Sequence, residues 1–179
     1  TAVESFSTRD NVYRLVRGTG LQMEEWRGPV PTAPAQGASY RAAAHFEEDR
    51  FPGVGLPLDP EGDFWFWGLA LESDPSRREL EVPLSVPGIT PGASNPAHLS
   101  IHLQGAAAGQ HEIEVHLNGS FVDVIRFSGI EAHRAEFPNL PAGLLREGDN
   151  NLLLRAARGF VALEAVDLAY DRLYRPADG

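Results

Sequence analysis

Hydrophobic and polar residues alternate with period two along several separate stretches of this chain. In "LEVPLSV" (80–86), Leu80, Val82, Leu84 and Val86 share one face. Leu99, Ile101 and Leu103 do so in "HLSIHLQ" (98–104), and Ile113, Val115 and Leu117 in "HEIEVHLN" (111–118). Successive strand side chains point to opposite faces, so this pattern predicts half-buried antiparallel strands with one face on a core. "LNGS" (117–120) supplies a hairpin, since Asn-Gly accepts the two positive φ angles of a two-residue turn. The simplest register sets Val115 opposite Val122 and Ile113 opposite Val124, facing inward, with Glu114 against Asp123 outside. That like-charge pair is unfavourable. Solvent screening is the expected relief, with a register slip or a nearby cation as the alternatives.

"LLREGDNNLLL" (144–154) reads as a turn feeding a strand, with Gly148 and Asn150 at the bend. "ARG" (157–159) then turns into a last strand, "FVALEAVDLAY" (160–170). Its alternation changes phase midway, which predicts a β-bulge near Glu164 and Ala165. No stretch carries a long helical period. "AGLLREG" and "SDPSRREL" (73–80) each suggest one helical turn at most. Many short strands with Gly/Pro turns predict an all-β fold, an antiparallel β-sandwich. "RGPVPTAPAQGAS" (27–39) is linker-like, so residues 1–40 read as an N-terminal arm, with strand-like "NVYRLV" (11–16), and 41–176 as the sandwich.

The chain has 179 residues, 42% of them hydrophobic, which suits one domain with a real core. No apolar run approaches a membrane span. The first residue is Thr1 and no signal peptide is visible, so the chain reads as a mature or excised piece. It contains no Cys, which excludes disulfides, thiolate zinc sites and a Cys nucleophile within it. All fifteen basic residues are Arg. A GC-rich genome explains this, as does a chain kept free of a Lys-specific protease's cleavage sites. The net charge of −10 disfavours nucleic acid and anionic membranes and suits calcium.

Motifs for catalysis are missing: there is neither a G-x-S-x-G elbow nor a Gly-rich phosphate loop ending in Lys. His98 and His102 stand four apart on a strand, about 13 Å from each other, and cannot chelate one ion together. A cross-strand site using His102 or His116 needs further convergent ligands. The chain is expected not to be an enzyme. No cofactor is required; two acidic clusters read first as solvated acidic surface, with a structural calcium ion as the alternative. Asp59, Glu61 and Asp63 alternate in "LDPEGDF" (58–64) around Gly62. Glu47, Glu48 and Asp49 in "HFEEDRF" (45–51) would meet Glu164 if the first and last strands pair.

"DFWFW" (63–67) concentrates aromatics in a chain with three Trp, four Tyr and nine Phe. Strand alternation points Phe64 and Phe66 one way and Trp65 and Trp67 the other. The stretch reads as a strand covered on both faces, with one edge of the cluster reaching a neighbour. The alternative is a platform for a sugar ring, which Trp26 and Tyr40 would extend.

Taken in order, "DNVYRLV…GLQMEEW", "HFEEDRFPG", "DFWFW", "LSIHLQG", "HEIEVHLNG", "LLREGDNNLLL" and "VALEAVDLAYDRLYRP" resemble the non-catalytic β-sandwich region of bacterial gingipain-like cysteine peptidases. The resemblance covers nearly the whole chain and includes its ending on Tyr170, Arg172 and Tyr174. It implies a jelly roll of the galactose-binding-like kind, secreted or at the cell surface, packed against a catalytic domain of the same polypeptide or a partner protein. Trp65, Trp67, Phe64, Phe66, Tyr170 and Tyr174 are the expected docking or ligand surface. Where the family tends to carry Asp in the last strand, this chain has Glu164, an acid that the resemblance links to structural calcium. The peptidase's Cys and His blocks are absent, so no peptidase activity is implied. A carbohydrate-binding module and a prosegment-like protease inhibitor are the rival expectations.

Overall fold

A computed structural model of the chain describes residues 39–53 and 65–174. Its strands are β1 (Ser39–Glu47), β2 (Phe51–Pro52), β3 (Trp65–Phe66), β4 (Gly68–Leu71), β5 (Glu79–Val86), β6 (Ala97–Gly105), β7 (Gln110–Leu117), β8 (Ser120–Ser128), β9 (Ala132–Leu140), β10 (Gly148–Arg158) and β11 (Phe160–Leu173). Ala142–Leu144 form a single 3₁₀ turn, where "AGLLREG" predicts one. The other expected helical turn is instead closed by Asp74, whose carboxylate accepts from the Ser76 N–H at 3.0 Å and its hydroxyl at 2.7 Å. A short acid beside Pro75 competes for the backbone there and favours a turn over a helix.

One sheet has the order β1-β11-β6-β9, with β4 also on β11; the other has the order β5-β10-β7-β8, and β2-β3 form a small ribbon. Every pairing is antiparallel. Apart from the ribbon and the β7-β8 hairpin, strands consecutive in the chain do not pair: β5 to β6, β6 to β7, β8 to β9, β9 to β10 and β10 to β11 each change sheets. The fold is an antiparallel jelly-roll β-sandwich.

The inner faces hold the core. Val82, Leu84 and Val86 of β5, Leu99, Ile101 and Leu103 of β6, Ile113, Val115 and Leu117 of β7 and Val166 and Leu168 of β11 are all nearly or fully buried. These are the alternating apolar positions of the sequence, and each such side chain contributes about 1.5–3 kcal/mol on leaving water.

The hairpin turn forms as expected, with Asn118 at φ 52° and Gly119 at φ 81°. Its register does not. Leu117 faces Ser120, but beyond a shift at Val115/His116, Ile113 faces Ile125, Glu114 faces Val124 and Val115 faces Asp123. One extra residue on β8 therefore sends Ile125 and Phe127 into the core in place of Val122 and Val124, which are half-buried. The slip, not solvent, separates Glu114 from Asp123. It also exchanges two Val for larger side chains on the buried face, which favours the bulge. In β11 the shift falls between Leu163 and Ala165, so Glu164 is the bulged residue, as the change of phase predicts.

Candidate functional site

Of the six aromatic residues expected at a docking or ligand surface, three belong to the interior. Phe66 is 3% exposed, Trp67 2% and Tyr170 3%. The stretch is not one straight strand. Trp65 and Phe66 pair with Pro52 and Phe51, the chain bends at Trp67, and β4 then joins β11. The Trp67 N–H donates to the Leu163 carbonyl at 2.7 Å, which seats its indole in the core cluster. The Tyr170 hydroxyl donates to the Pro87 carbonyl at 3.0 Å. Adjacent Phe66 and Trp67 are both covered, so this part of the stretch is covered on both faces. Trp65 is half-buried, Tyr174 is 61% exposed, and Phe64 and Trp26 lie outside the described residues.

Strands β1 and β11 do pair, and Glu47 lands opposite Ala165, next to Glu164. The carboxylates there already have donors: Glu47 accepts from His45 at 2.9 Å and Glu48 from Arg50 at 2.5 Å. Among the described residues no group of three or more acidic or His side chains could hold a metal ion. Asp59, Glu61 and Asp63 lie outside the described residues.

A different set of residues converges on the outer face of the five-stranded sheet. The register lines up three rows across β1, β11, β6 and, for two of them, β9: Ala43-Ala169-His98, His45-Asp167-Ser100-Glu136 and Glu47-Ala165-His102-Arg134. Short side chains at Ala43 and Ala169 leave a depression of about 300 Å³ between taller neighbours, walled by His45, His98, Arg134 and Asp167 with Ser100 at its base.

The polar groups of this face are tied into one network. His45 meets Asp167 through Nδ1 at 2.7 Å and Glu47 through Nε2 at 2.9 Å. Both ring nitrogens face carboxylates, and each bond needs a protonated nitrogen, so the two together favour the charged ring. Those bonds, Glu47 first and then Asp167, raise the His45 pKa above its ordinary 6.5. His102 donates Nε2–H to the other oxygen of Asp167 at 2.8 Å. Burial pushes the Asp167 carboxyl up, but the hydrogen bonds from His45 and His102 outweigh it and hold the group below the usual carboxylate range. Glu136 behaves alike: burial raises it, while His98, Ser100 and Arg134 together bring it down. The Ser100 hydroxyl donates to Glu136 at 3.0 Å and accepts from Arg134 Nε at 2.8 Å. Donors and acceptors thus alternate along the walls with their positions fixed in advance.

Sequence reasoning weighs His98 and His102 only as metal ligands and does not join them to the rest of the site, because the members occupy the polar positions of an alternating pattern, which read as a solvated face. One signal was available. Consecutive outward positions of β6 are His98, Ser100 and His102, a small hydroxyl residue between two imidazoles; the structure then buries Ser100, 2% exposed, on the side that alternation assigns to solvent.

No family model matches the chain, and no curated protein matches it in sequence. Solved structures resemble it at low identity. Latent PorU from Porphyromonas gingivalis is 12% identical over 75% of this chain, with a TM-score of 0.49, and the match spans only 13% of PorU. A GH26-CBM35 β-(1,4)-mannanase of Podospora anserina is 16% identical over 76% of this chain and 28% of its own, with a TM-score of 0.47. A carbohydrate-binding module CBM36, solved with calcium and xylotriose, is 12% identical over 72% of this chain and 98% of its own, at 0.43. The jelly-roll assignment rests on the strand order rather than on these likenesses.

Proposed function

We propose that this β-sandwich is a non-catalytic binding module of a larger secreted or cell-surface protein, and that it takes a carbohydrate on the outer face of its five-stranded sheet. The observation that carries the reading is the depression between β1, β11 and β6, with a floor of small side chains and walls of alternating donors and acceptors. A sugar hydroxyl both donates and accepts, so it suits a wall where an exposed donor, Arg134, stands beside an exposed acceptor, Asp167. Ligand sites of this kind are concave and held in shape by a few fixed polar groups. The non-catalytic reading is supported by Ser100, whose two hydrogen bonds go to Glu136 and Arg134 rather than to an imidazole that would activate it. The test is electrophoresis of the domain through gels containing neutral glucan, xylan, mannan or galactan. Retardation by at least one polymer is expected, and its loss in Asp167→Ala with an unchanged circular dichroism spectrum. No retardation in any gel would refute the reading.

A second reading keeps the expectation drawn from the sequence, that the module packs against the catalytic domain of a gingipain-like cysteine peptidase. It is favoured by the exposed ring of Phe121, 58% accessible, beside a notch of about 370 Å³ that Val122, Phe137, Pro141 and Leu144 help to line. Exposed apolar surface of this sort marks contact sites. The gene on either side of these codons decides it. A neighbouring block with a caspase-like His and Cys supports the reading, and a glycosidase or no catalytic block rejects it.

A further inference from the structure

We propose that the free edge of β1 pairs with β1 of a second copy of this chain, antiparallel about a two-fold axis, and that each copy thereby adds a wall to the other's groove. The pairing stands apart from the carbohydrate reading; its effect on the groove rests on it. β1 ends one side of the five-stranded sheet, and among the described residues no strand lies on its other edge. A bare edge offers unpaired N–H and C=O groups to any extended chain, and proteins blunt it with Pro, bulges or short strands. The other edges of the two sheets are blunted: β4 has 4 residues, β5 carries Pro83, β9 carries Pro138, and β8 has its extra residue at the shift beside Val115 and His116. β1 has none of these devices. Its 9 residues pair with β11 without a shift.

The register shows which backbone groups are free. The Asp171 carbonyl accepts from the Thr90 N–H at 2.9 Å and the Leu173 N–H donates to the Gly88 carbonyl at 2.8 Å, on the side of Ile89 and away from β1. Opposed residues of an antiparallel pair alternate between exchanging both bonds and neither. Arg41, opposite Asp171, therefore turns its N–H and C=O to the free edge, and by alternation so do Ala43, His45 and Glu47. Their charged side chains do not cap that edge, because Arg41 and His45 lean over the sheet to Asp171 and Asp167. A register with Arg41 of one copy opposite Glu47 of the other satisfies all four residues and sets Ala43 opposite His45. Opposite charges abreast favour it, whereas a pairing centred on Ala43 would set Arg41 against the imidazole of His45. Ala42, Ala43 and Ala44 are small enough for two backbones to meet. The axis stands perpendicular to the sheet, so both outer faces lie on one side of the dimer. Ala43 lines the depression on the flank where β1 has no neighbour, and His45 of the second copy stands there as a further wall.

The test is sedimentation equilibrium of the full chain across the micromolar range, with amide hydrogen exchange on the same samples. A reversible dimer is expected, with the Ala43 and His45 amides protected in step with its formation. Ala43→Pro removes a donor aimed at the free edge and no hydrogen bond to β11, so it is expected to keep the wild-type circular dichroism spectrum and to be monomeric. Glu47→Arg sets like charges abreast twice in each dimer and is expected to raise the dissociation constant about tenfold. A wild type that stays monomeric, or a dimer that both variants leave intact, would overturn the pairing. Protection of the two amides in a monomer would mean that the edge is covered within one chain, and would overturn it too. In a gel that retards the wild type, monomeric Ala43→Pro is expected to bind about tenfold more weakly. Equal retardation would remove the added wall and leave the pairing. A dimer that no polymer retards would leave the pairing and refute the carbohydrate reading.

Discussion

On the outer face of the four-stranded sheet, Arg155 lies between Glu79 and Glu114 and donates to them at 2.8 and 3.4 Å. All three side chains are a third to a half exposed. On the outer face of the five-stranded sheet, Ser100 and Gln104 are 2% and 7% exposed, and Ala165 3%. Both faces come from the same alternation of apolar and polar positions, yet one is a solvated ion-pair surface and the other a walled depression. The difference lies in the lateral neighbours. Long charged side chains abreast of one another stand out into water, whereas Ala43 and Ala169 beside His45, His98 and Arg134 leave a hollow. What a polar strand position does is thus set by the side chains beside it across the sheet.

The contrast between inner and outer faces is the easiest to break. Leu153 and Leu154 are neighbours in β10, the first half-buried and the second fully buried. Leu154→Ala is expected to cost roughly 3 kcal/mol in urea unfolding, and Leu153→Ala about 1 kcal/mol or less. Equal costs would mean that the strand register is wrong.

Next in size is the contrast between the two outer faces. Asp167→Asn removes the charge shared by His45 and His102 and turns one of its two accepting oxygens into a donor, and is expected to weaken carbohydrate retention about tenfold, as loss of one charge-assisted hydrogen bond does. Its effect on stability should be near 1 kcal/mol, because these pairs are partly exposed.

A pH series sharpens the same comparison. Asp167 and Glu136 are held below their ordinary values of 3.8 and 4.5. Their contribution is therefore present above those values and is lost as pH falls through the depressed ones. His45 is raised, so its contribution is complete below 6.5 and fades as pH climbs through the raised value. Melting temperature followed from pH 3 to 9 is expected to fall at both ends. Asp167→Asn should flatten both limbs, since it removes the carboxylate and one of the two partners of His45.

The smallest effect belongs to Arg155→Gln, on the solvated face. It is expected to leave retention unchanged and to move the melting temperature no further than replicate scatter. A loss of retention there would place the ligand on the wrong sheet.

Much of the architecture is legible along the chain. The inward rows of β5, β6 and β7, the Asn118-Gly119 turn, the bulge at Glu164 and the single 3₁₀ turn follow from local pattern and turn chemistry, because each is fixed within a few residues of sequence. The register of β8 is not, because one extra residue turns on which side chains the opposite sheet admits. The fate of "DFWFW" turns on a bend at Trp67 that exists only because β11 offers the Leu163 carbonyl. Above all, the groove joins His45, His98, Ser100, Arg134 and Asp167 from four strands far apart in the chain. Alternation tells each of them only that it points away from the core. Pairing β1 and β6 on either side of β11, with β9 beyond β6, decides that they point at one another.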